Sequence, residues 1–183
     1  MTMREFLSLF CFAISTLPAI GDTIDRTGVN GSEEPVLFTE KALAARFPEL
    51  AISQTERPNP FGGEDQVFVL SRQDVPLFYA DHGAGESYTF SIWTESAHVS
   101  GPSGVQTGVS TLSEIMHLDQ WDCSRGYNEM KDTVACMWWD ENLRLVFSFD
   151  PDEFPDVPEG GFDERMAESE LIEIRQFLHR PTY

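Results

Sequence analysis

The sequence has few basic residues, with 12 lysines and arginines against 31 aspartates and glutamates. The resulting formal net charge is −19 at pH 7. Such a charge repels nucleic-acid phosphates and anionic lipid surfaces, and the sequence therefore argues against nucleic acid as a partner. A strongly acidic surface speeds encounter with basic proteins, so a basic protein is the partner class that the charge indicates.

The sequence also lacks an uninterrupted apolar run of about 20 residues, the length that a membrane-spanning helix needs. Its apolar run at residues 6–14 is short and is followed by the helix-breaking Pro18. Small residues then stand at Ala19 and Gly21, the two positions that signal peptidase recognises. We therefore predict a cleaved signal peptide over residues 1–21, no integral membrane segment after cleavage, and a periplasmic or secreted protein.

The remaining length suits one domain. We expect residues 22–35, which are polar and contain glycine, to form a flexible lead-in, and residues 36–183 to form a single domain. Within that domain, residues 150–161 are acidic and rich in proline, which predicts an extended loop.

Alternating apolar and polar residues predict several strands joined by short turns, and hence an antiparallel sheet. Thr39 is positioned as the N-cap of a short helix over residues 39–47, ahead of the predicted strands. An apolar stripe in residues 162–179 predicts an amphipathic C-terminal helix. The predicted fold class is therefore α+β, with one antiparallel sheet and a helix at each end of the domain. The C-terminal stripe consists of Ala167, Leu171, Ile174 and Leu178.

Cysteine is scarce, with three in the whole chain, which leaves little material for a metal or redox site. If residues 122–139 form a hairpin with a loop at 128–131, Cys123 lies opposite Cys136 and Trp121 lies opposite Trp138. An exported protein would oxidise this pair to a structural disulfide. A redox motif would need two cysteines at close spacing, and a zinc site would need two further ligands, so both alternatives are weaker.

Two segments are candidates for ligand binding. Trp138 and Trp139 point to opposite faces of the predicted strand, so one of them can be exposed for stacking on a ligand. The second candidate is a turn-rich loop rich in serine and glycine, comprising Ser100, Gly101, Ser103 and Gly104. Some exported bacterial inhibitors of lysozyme, a basic enzyme, insert a loop of this composition into its cleft. An inhibitor of a basic hydrolase is therefore an alternative function.

A pattern of residues also resembles a known family. The pattern is an early helix ending in Phe47-Pro48, the element GVQTGVSTL at residues 104–112, then Cys123, Gly126, Val134, Cys136 and a strand ending at Phe149. In residues 38–149 the sequence is thereby similar to a family of Gram-negative envelope lipoproteins of unknown function, associated with the extracytoplasmic stress regulon. The resemblance implies a fold and an envelope location, without catalytic residues. Phe10 stands before Cys11 where a lipobox needs a small residue, so a lipid anchor is not predicted.

Residues suited to catalysis or metal binding are scattered. The loops around His82 and His98, with Asp81 or Glu86, are the basis for an alternative of a different functional class. In that alternative the protein is a metal-dependent or hydrolytic enzyme. The acidic loop begins like a calcium site, with weak candidate ligands at Asp150, Asp152 and Asp156, but Phe154 and Pro155 break the pattern. We therefore predict no catalytic residues, no metal and no cofactor, and a non-enzymatic envelope protein with a binding or maintenance role.

Overall fold

The computed structural model describes residues 21–59, 63–83, 87–116, 118–126, 130–154, 156–158 and 160–178. These residues form eleven strands and one α-helix, α1 (Glu40–Arg46), together with short 3-10 turns. None of the helices in this part of the chain has the length and apolar character to span a bilayer. The strands are β1 (Asp22–Asp25), β2 (Gly28–Val29), β3 (Ala51–Pro58), β4 (Glu64–Arg72), β5 (Val75–His82), β6 (Thr89–Thr94), β7 (Val99–Ser100), β8 (Asp122–Arg125), β9 (Thr133–Trp138), β10 (Leu143–Ser148) and β11 (Glu170–Phe177).

Eight strands form one large antiparallel sheet in the order β3-β4-β5-β6-β11-β10-β9-β8. Tight turns between neighbouring strands set much of this order. Gln73 and Asp74 join β4 to β5 with φ values of 50° and 65°, the left-handed geometry that suits the twist of a two-residue hairpin. The exception is β11, which inserts between β6 and β10 although it comes last along the chain.

The prediction of a single sheet was wrong. Residues assigned to a flexible lead-in form β1 and β2, which make a three-stranded sheet with β7 in the order β2-β1-β7. β1 runs parallel to β7, and Arg72 of the large sheet donates to the buried Asp22 carboxylate at 2.6 Å. Ile24 and Val29 are the apolar anchors of this sheet and are fully buried. Two apolar residues in a polar stretch are too weak a pattern to indicate strands.

The predicted C-terminal helix was also wrong, and the α+β class with it, because the structure is mostly β. A 3-10 turn at Glu164–Glu168 leads into strand β11. Leu171 and Ile174 both face the core despite a spacing of three, because the pairing with β10 shifts by one residue and leaves Ile172 partly exposed as a bulge. A bulge in a strand thus reproduced the apolar spacing of a helix.

The core lies on one face of the large sheet. Phe78, Ile92 and Leu145 project from this face and are buried. Helix α1 contributes the buried Leu43, and its first turn is capped by Thr39, whose hydroxyl accepts a hydrogen bond from the Ala42 amide. The small sheet and the 3-10 turns complete the cover of this face. No such layer of described residues covers the opposite face of the large sheet, and this face carries the charged groups described below.

An arginine anchors the acidic loop to the edge of the large sheet. The buried Arg125 side chain donates to the backbone carbonyls of Lys131, at 2.7 Å, Phe154, at 3.1 Å, and Val157. Its backbone also exchanges hydrogen bonds with Gly160 and Gly161. The described part of the predicted loop at residues 150–161 is therefore fixed against β8 by several hydrogen bonds.

Candidate functional site

A groove of about 410 Å³ crosses the face of the large sheet that points away from the core. Side chains alternate along a strand, so the immediate neighbours of core residues supply its lining, such as Trp93 next to Ile92. Its charged lining residues are Arg57, Asp65, Asp81, Glu95, Arg144, Glu173 and Arg175. We call this surface the groove.

The large sheet curves around the groove. Arg57 belongs to β3 and Arg144 to β10, and four strands lie between them in the sheet. In a flat sheet, five strand spacings would separate the two backbones by roughly 24 Å. Both side chains nevertheless line the same groove, together with Met130 from the loop before β9. The curvature is what turns the open face of the sheet into a cleft.

A row of stacked side chains forms part of the floor. Tyr79, Trp93 and Arg175 lie opposite one another on β5, β6 and β11. The two aromatic rings stack at 5.4 Å, and the guanidinium carbon of Arg175 lies 4.3 Å from the centre of the Trp93 ring. Arg57 stacks over Tyr79 at 4.4 Å. Trp93 is thus held between two neighbours and is only 5% exposed, so the groove offers no free indole face for ligand stacking.

Beside this row, a network of ion pairs joins β5, β10 and β11, and hydrogen bonds from Ser91 connect it to β6. Arg175 donates two hydrogen bonds to the Glu173 carboxylate, both at 3.0 Å, and further ones to Asp81 at 3.1 Å and Ser91 at 3.3 Å. Arg144 Nη2 donates to Glu173 Oε1 at 2.8 Å. The side chains of Glu173 and Arg175 are each 16% exposed. The network therefore fixes the orientation of several charged groups that have little contact with water.

The two buried carboxyl groups of this network have opposite pKa shifts. Burial opposes the charge of Glu173, but the guanidinium groups of Arg175 and Arg144 outweigh it and lower the pKa to about 2. Burial raises the pKa of Asp81 above its ordinary value, although Arg175 and hydrogen bonds from Ser91 act against the shift. Glu173 is therefore ionised at neutral pH and offsets part of the positive charge of the two arginines.

The two ends of the groove differ in their hydrogen bonding. At the β3 end, Arg57 forms a two-pronged pair with Glu95, at 3.0 Å for both contacts, and these side chains are 32% and 39% exposed. Asp65, opposite Arg57 on β4, is exposed and accepts from the Asn59 amide. At the other end, the Nε atom of Arg144 is buried and has no hydrogen-bond partner among the described residues. A buried donor without an acceptor is costly, and an acceptor that reached this atom would remove the cost.

Among the sequence-predicted residues, Cys123 and Cys136 form the expected disulfide. They are direct partners across β8 and β9, with Cα atoms 4.0 Å apart. Trp121 and Trp138 pack edge to face beside it, with ring centres 5.6 Å apart. The loop predicted at residues 128–131 lies partly outside the described residues. These residues pack against the core face of the sheet, away from the groove.

Removing the disulfide is expected to lower the free energy of unfolding by about 3 kcal/mol. The bridge joins two residues that are 13 positions apart, and closing this loop restricts the unfolded chain. The test is urea unfolding of the double variant Cys123→Ala, Cys136→Ala beside the wild type, where alanine avoids burying a new hydroxyl group. Wild type treated with reductant should match the variant. Equal midpoints for oxidised wild type and variant would show that the bridge contributes nothing.

The other predicted binding residues lie outside the groove. Trp138 is half-buried against the core, whereas Trp139 is 53% exposed and donates from Nε1 to Asp122 at 3.2 Å. In the Ser100–Gly104 segment only Ser103 and Gly104 are exposed. Gly101 packs so closely that an added Cβ would lie 2.7 Å from Ile174 Cδ1. The glycine here allows close packing on the sheet.

The candidate metal and catalytic residues are dispersed as well. Asp150 accepts a hydrogen bond from the amide of Asp152, and Asp156 pairs with Arg165 at 2.9 Å. The His82 ring packs on Phe38 at 4.6 Å, whereas Asp81 points into the groove. The described residues contain no group of three histidines, cysteines or carboxylates able to hold a metal ion. Glu86 lies outside the described residues.

Sequence reasoning missed the groove itself. The sequence places Asp81 beside His82 in a candidate catalytic loop, and it places Glu173 and Arg175 within the predicted C-terminal helix. The available signal was charge within otherwise apolar β-like segments, as in LFYAD at residues 77–81. Charges at such positions are seldom buried unless they are paired.

The fold and the groove together define the class of structure: a curved eight-stranded antiparallel sheet, with a second small sheet on its core face and a cleft on the other. The chain is similar to the crystal structure of the uncharacterised protein YfeY from Escherichia coli, with a TM-score of 0.54 and 14% sequence identity, over 85% of this chain and 99% of that one. At this identity the similarity shows the fold alone. No protein-family model matches the chain, and no curated protein matches it.

Proposed function

We propose that the protein is an exported, non-enzymatic binding protein of the bacterial envelope and that it binds a small ligand in the groove. The groove carries the proposal. Its volume of about 410 Å³ falls within the range of small-molecule sites. Most of its charged groups are held by ion pairs before any ligand arrives, which lowers the cost of ordering them on binding.

The chemistry of the groove supports binding more than catalysis. Its described lining contains carboxylates and guanidinium groups, with no histidine or cysteine among them. The Ser91 hydroxyl donates to Asp81 at 2.8 Å, and Asp81 is in turn held by Arg175. A serine nucleophile needs a base that is free to take its proton, and this carboxylate is already engaged.

Two observations support export. β1 begins at Asp22, directly after the predicted cleavage position, and the Asp22 side chain is buried against Arg72. The disulfide is of the structural kind that persists in oxidising compartments. The resemblance to envelope lipoproteins points to the same compartment.

Expression of the full chain in a Gram-negative host tests the location. We expect an osmotic-shock fraction to contain a protein that begins at Asp22 and carries the disulfide, as measured by intact mass and N-terminal sequencing. A matched variant, Ala19→Phe, removes the small residue needed for cleavage and should accumulate as the precursor. A wild-type chain that keeps residues 1–21 and stays in the cytoplasmic fraction would refute export.

The protein purified from that fraction also tests the binding role. Its thermal midpoint is measured with sugars, polyamines, dicarboxylates and short peptides at millimolar concentration, since a ligand that binds only the folded state raises the midpoint. We expect at least one chemical class to raise it, and Asp65→Asn at the rim of the groove to reduce that shift. A panel without any effect would count against a small-molecule role.

A further inference from the structure

The two ends of the groove have unequal charge. The β3 end holds two carboxylates, Asp65 and Glu95, and one guanidinium group, Arg57. Because Arg57 and Glu95 neutralise each other as a close pair, Asp65 remains as an excess negative charge. Asp65 is exposed at the rim, where its carboxylate accepts a hydrogen bond from the neutral side-chain amide of Asn59. This end suits a ligand ammonium group.

The β10 end has the opposite need. Two guanidinium groups and two carboxylates balance there in charge, as described for the ion-pair network. Although the charges balance, one hydrogen-bond donor is unsatisfied, because Arg144 Nε is buried without an acceptor among the described residues. A ligand carboxylate would supply that acceptor through a charge-assisted hydrogen bond.

Ligands with a single type of charge satisfy only part of the groove. A purely anionic ligand must approach a protein of net charge −19 and would meet Asp65 and Glu95 at the β3 end. A purely cationic ligand, by contrast, would leave the Arg144 donor unsatisfied. A ligand with an ammonium group at one end and a carboxylate at the other satisfies both.

We propose that the groove binds a zwitterionic ligand, namely a short peptide with free amino and carboxyl ends, with its ammonium group at Asp65 and its carboxylate at Arg144. This assignment rests on the proposed binding role and adds the ligand class to it. Val67 and Trp93 lie in the floor between the two ends and are almost fully buried, so they offer a ligand little apolar contact. The faces of Trp93 are occupied, so recognition comes from the charged ends of the peptide.

Isothermal titration of the mature protein with the dipeptide Ala-Ala tests the assignment. We expect measurable binding, weakened at least about tenfold when the amino end is acetylated or when the carboxyl end is amidated, because each change removes one charge-assisted contact. Asp65→Asn should weaken Ala-Ala binding to a similar extent and leave the affinity for acetylated Ala-Ala unchanged. Glu64→Gln is the matched control, since it removes the same charge from the adjacent residue of β4, which lines the opposite surface.

Arg144→Lys tests the other end. The lysine keeps the positive charge beside Glu173 but lacks the guanidinium Nε–H, so affinity should fall for Ala-Ala and stay the same for the amidated form.

Equal binding of free and blocked peptides, or equal effects of Asp65→Asn and Glu64→Gln, would overturn the zwitterion assignment. No binding of Ala-Ala while another compound class raises the thermal midpoint would also overturn it and would leave the binding role standing. No binding of any compound would refute both.

Discussion

Replacement of Glu173 by glutamine is expected to lower the free energy of unfolding by about 3 kcal/mol at pH 7. Glu173 is the shared acceptor of Arg144 and Arg175, and the neutral amide would leave two guanidinium groups in a largely buried site with too little negative charge. Breaking one partner of a buried pair is costly for this reason, even where the intact pair adds little stability. Urea unfolding monitored by circular dichroism measures the loss.

The same variant should change how stability depends on pH. The pKa of Glu173 is about 2 in the folded protein against an ordinary value of 4.5, so the unfolded chain binds more protons between these values. Its contribution, about 3 kcal/mol, is present above pH 4.5 and is lost as the pH falls toward 2. Asp81 acts in the opposite direction, because its raised pKa favours the folded state below its ordinary pKa and that advantage fades as the pH rises.

The matched control is Glu170→Gln, which removes a carboxylate from the exposed start of the same strand. It should leave both the midpoint and the pH profile close to those of the wild type. If Glu173→Gln behaves like this control between pH 2 and pH 7, the ion-pair network does not stabilise the fold as the structure indicates.

Replacement of Arg125 by methionine is expected to destabilise the protein by about 3 kcal/mol or more, since it leaves three backbone carbonyls without their donor. Methionine keeps much of the side-chain volume, so the loss reports mainly on hydrogen bonding. Two of the carbonyls belong to Phe154 and Val157 in the acidic loop. Limited proteolysis should therefore show faster cleavage within residues 150–161, in addition to a lower unfolding midpoint.

The control for this prediction is Arg165→Met. Arg165 also holds the acidic loop, through an ion pair with Asp156, and it pairs with Asp163 just after the loop, but its side chain is 55% exposed. Exposed ion pairs contribute little to stability, so this variant should unfold near the wild-type midpoint and keep the loop resistant to protease. Equal behaviour of the two arginine variants would mean that Arg125 does not anchor the loop.

The hairpin that carries the disulfide could be predicted from the sequence because the residues that determine its register lie within one short segment. Cys123 and Cys136 pair in the predicted register, and Arg125 pairs with Val134 as the same register requires. A turn of limited length fixes which residues face each other in a hairpin. Cysteines and tryptophans at symmetric positions then identify the register.

The last strand could not be predicted in the same way. The apolar stripe that includes Leu171 and Ile174 has helical spacing, and only the bulge at Ile172 shows why a strand can bury both. That bulge depends on pairing with β10, and no residue next to Ile172 indicates it. Tertiary pairing overrode the local pattern here.

The groove was hidden for a related reason. Asp81 and Arg175 come into contact because β5 and β11 flank β6, although 94 residues separate them along the chain. A sheet order that does not follow the chain order brings together charges that look solvated when each is read in its own segment. Their burial and pairing could be seen only once the order of the strands was known.

The central position of β11 has a consequence for how the molecule is made. Strand β6 pairs with β11, as in the pair Thr94 and Ile174. The edge of β6 therefore stays unpaired until nearly the whole described chain has been synthesised. Distant pairing of this kind slows folding, and an open edge invites aggregation. A polypeptide that acquires this inner strand last can close its large sheet only after residues 170–177 have been synthesised.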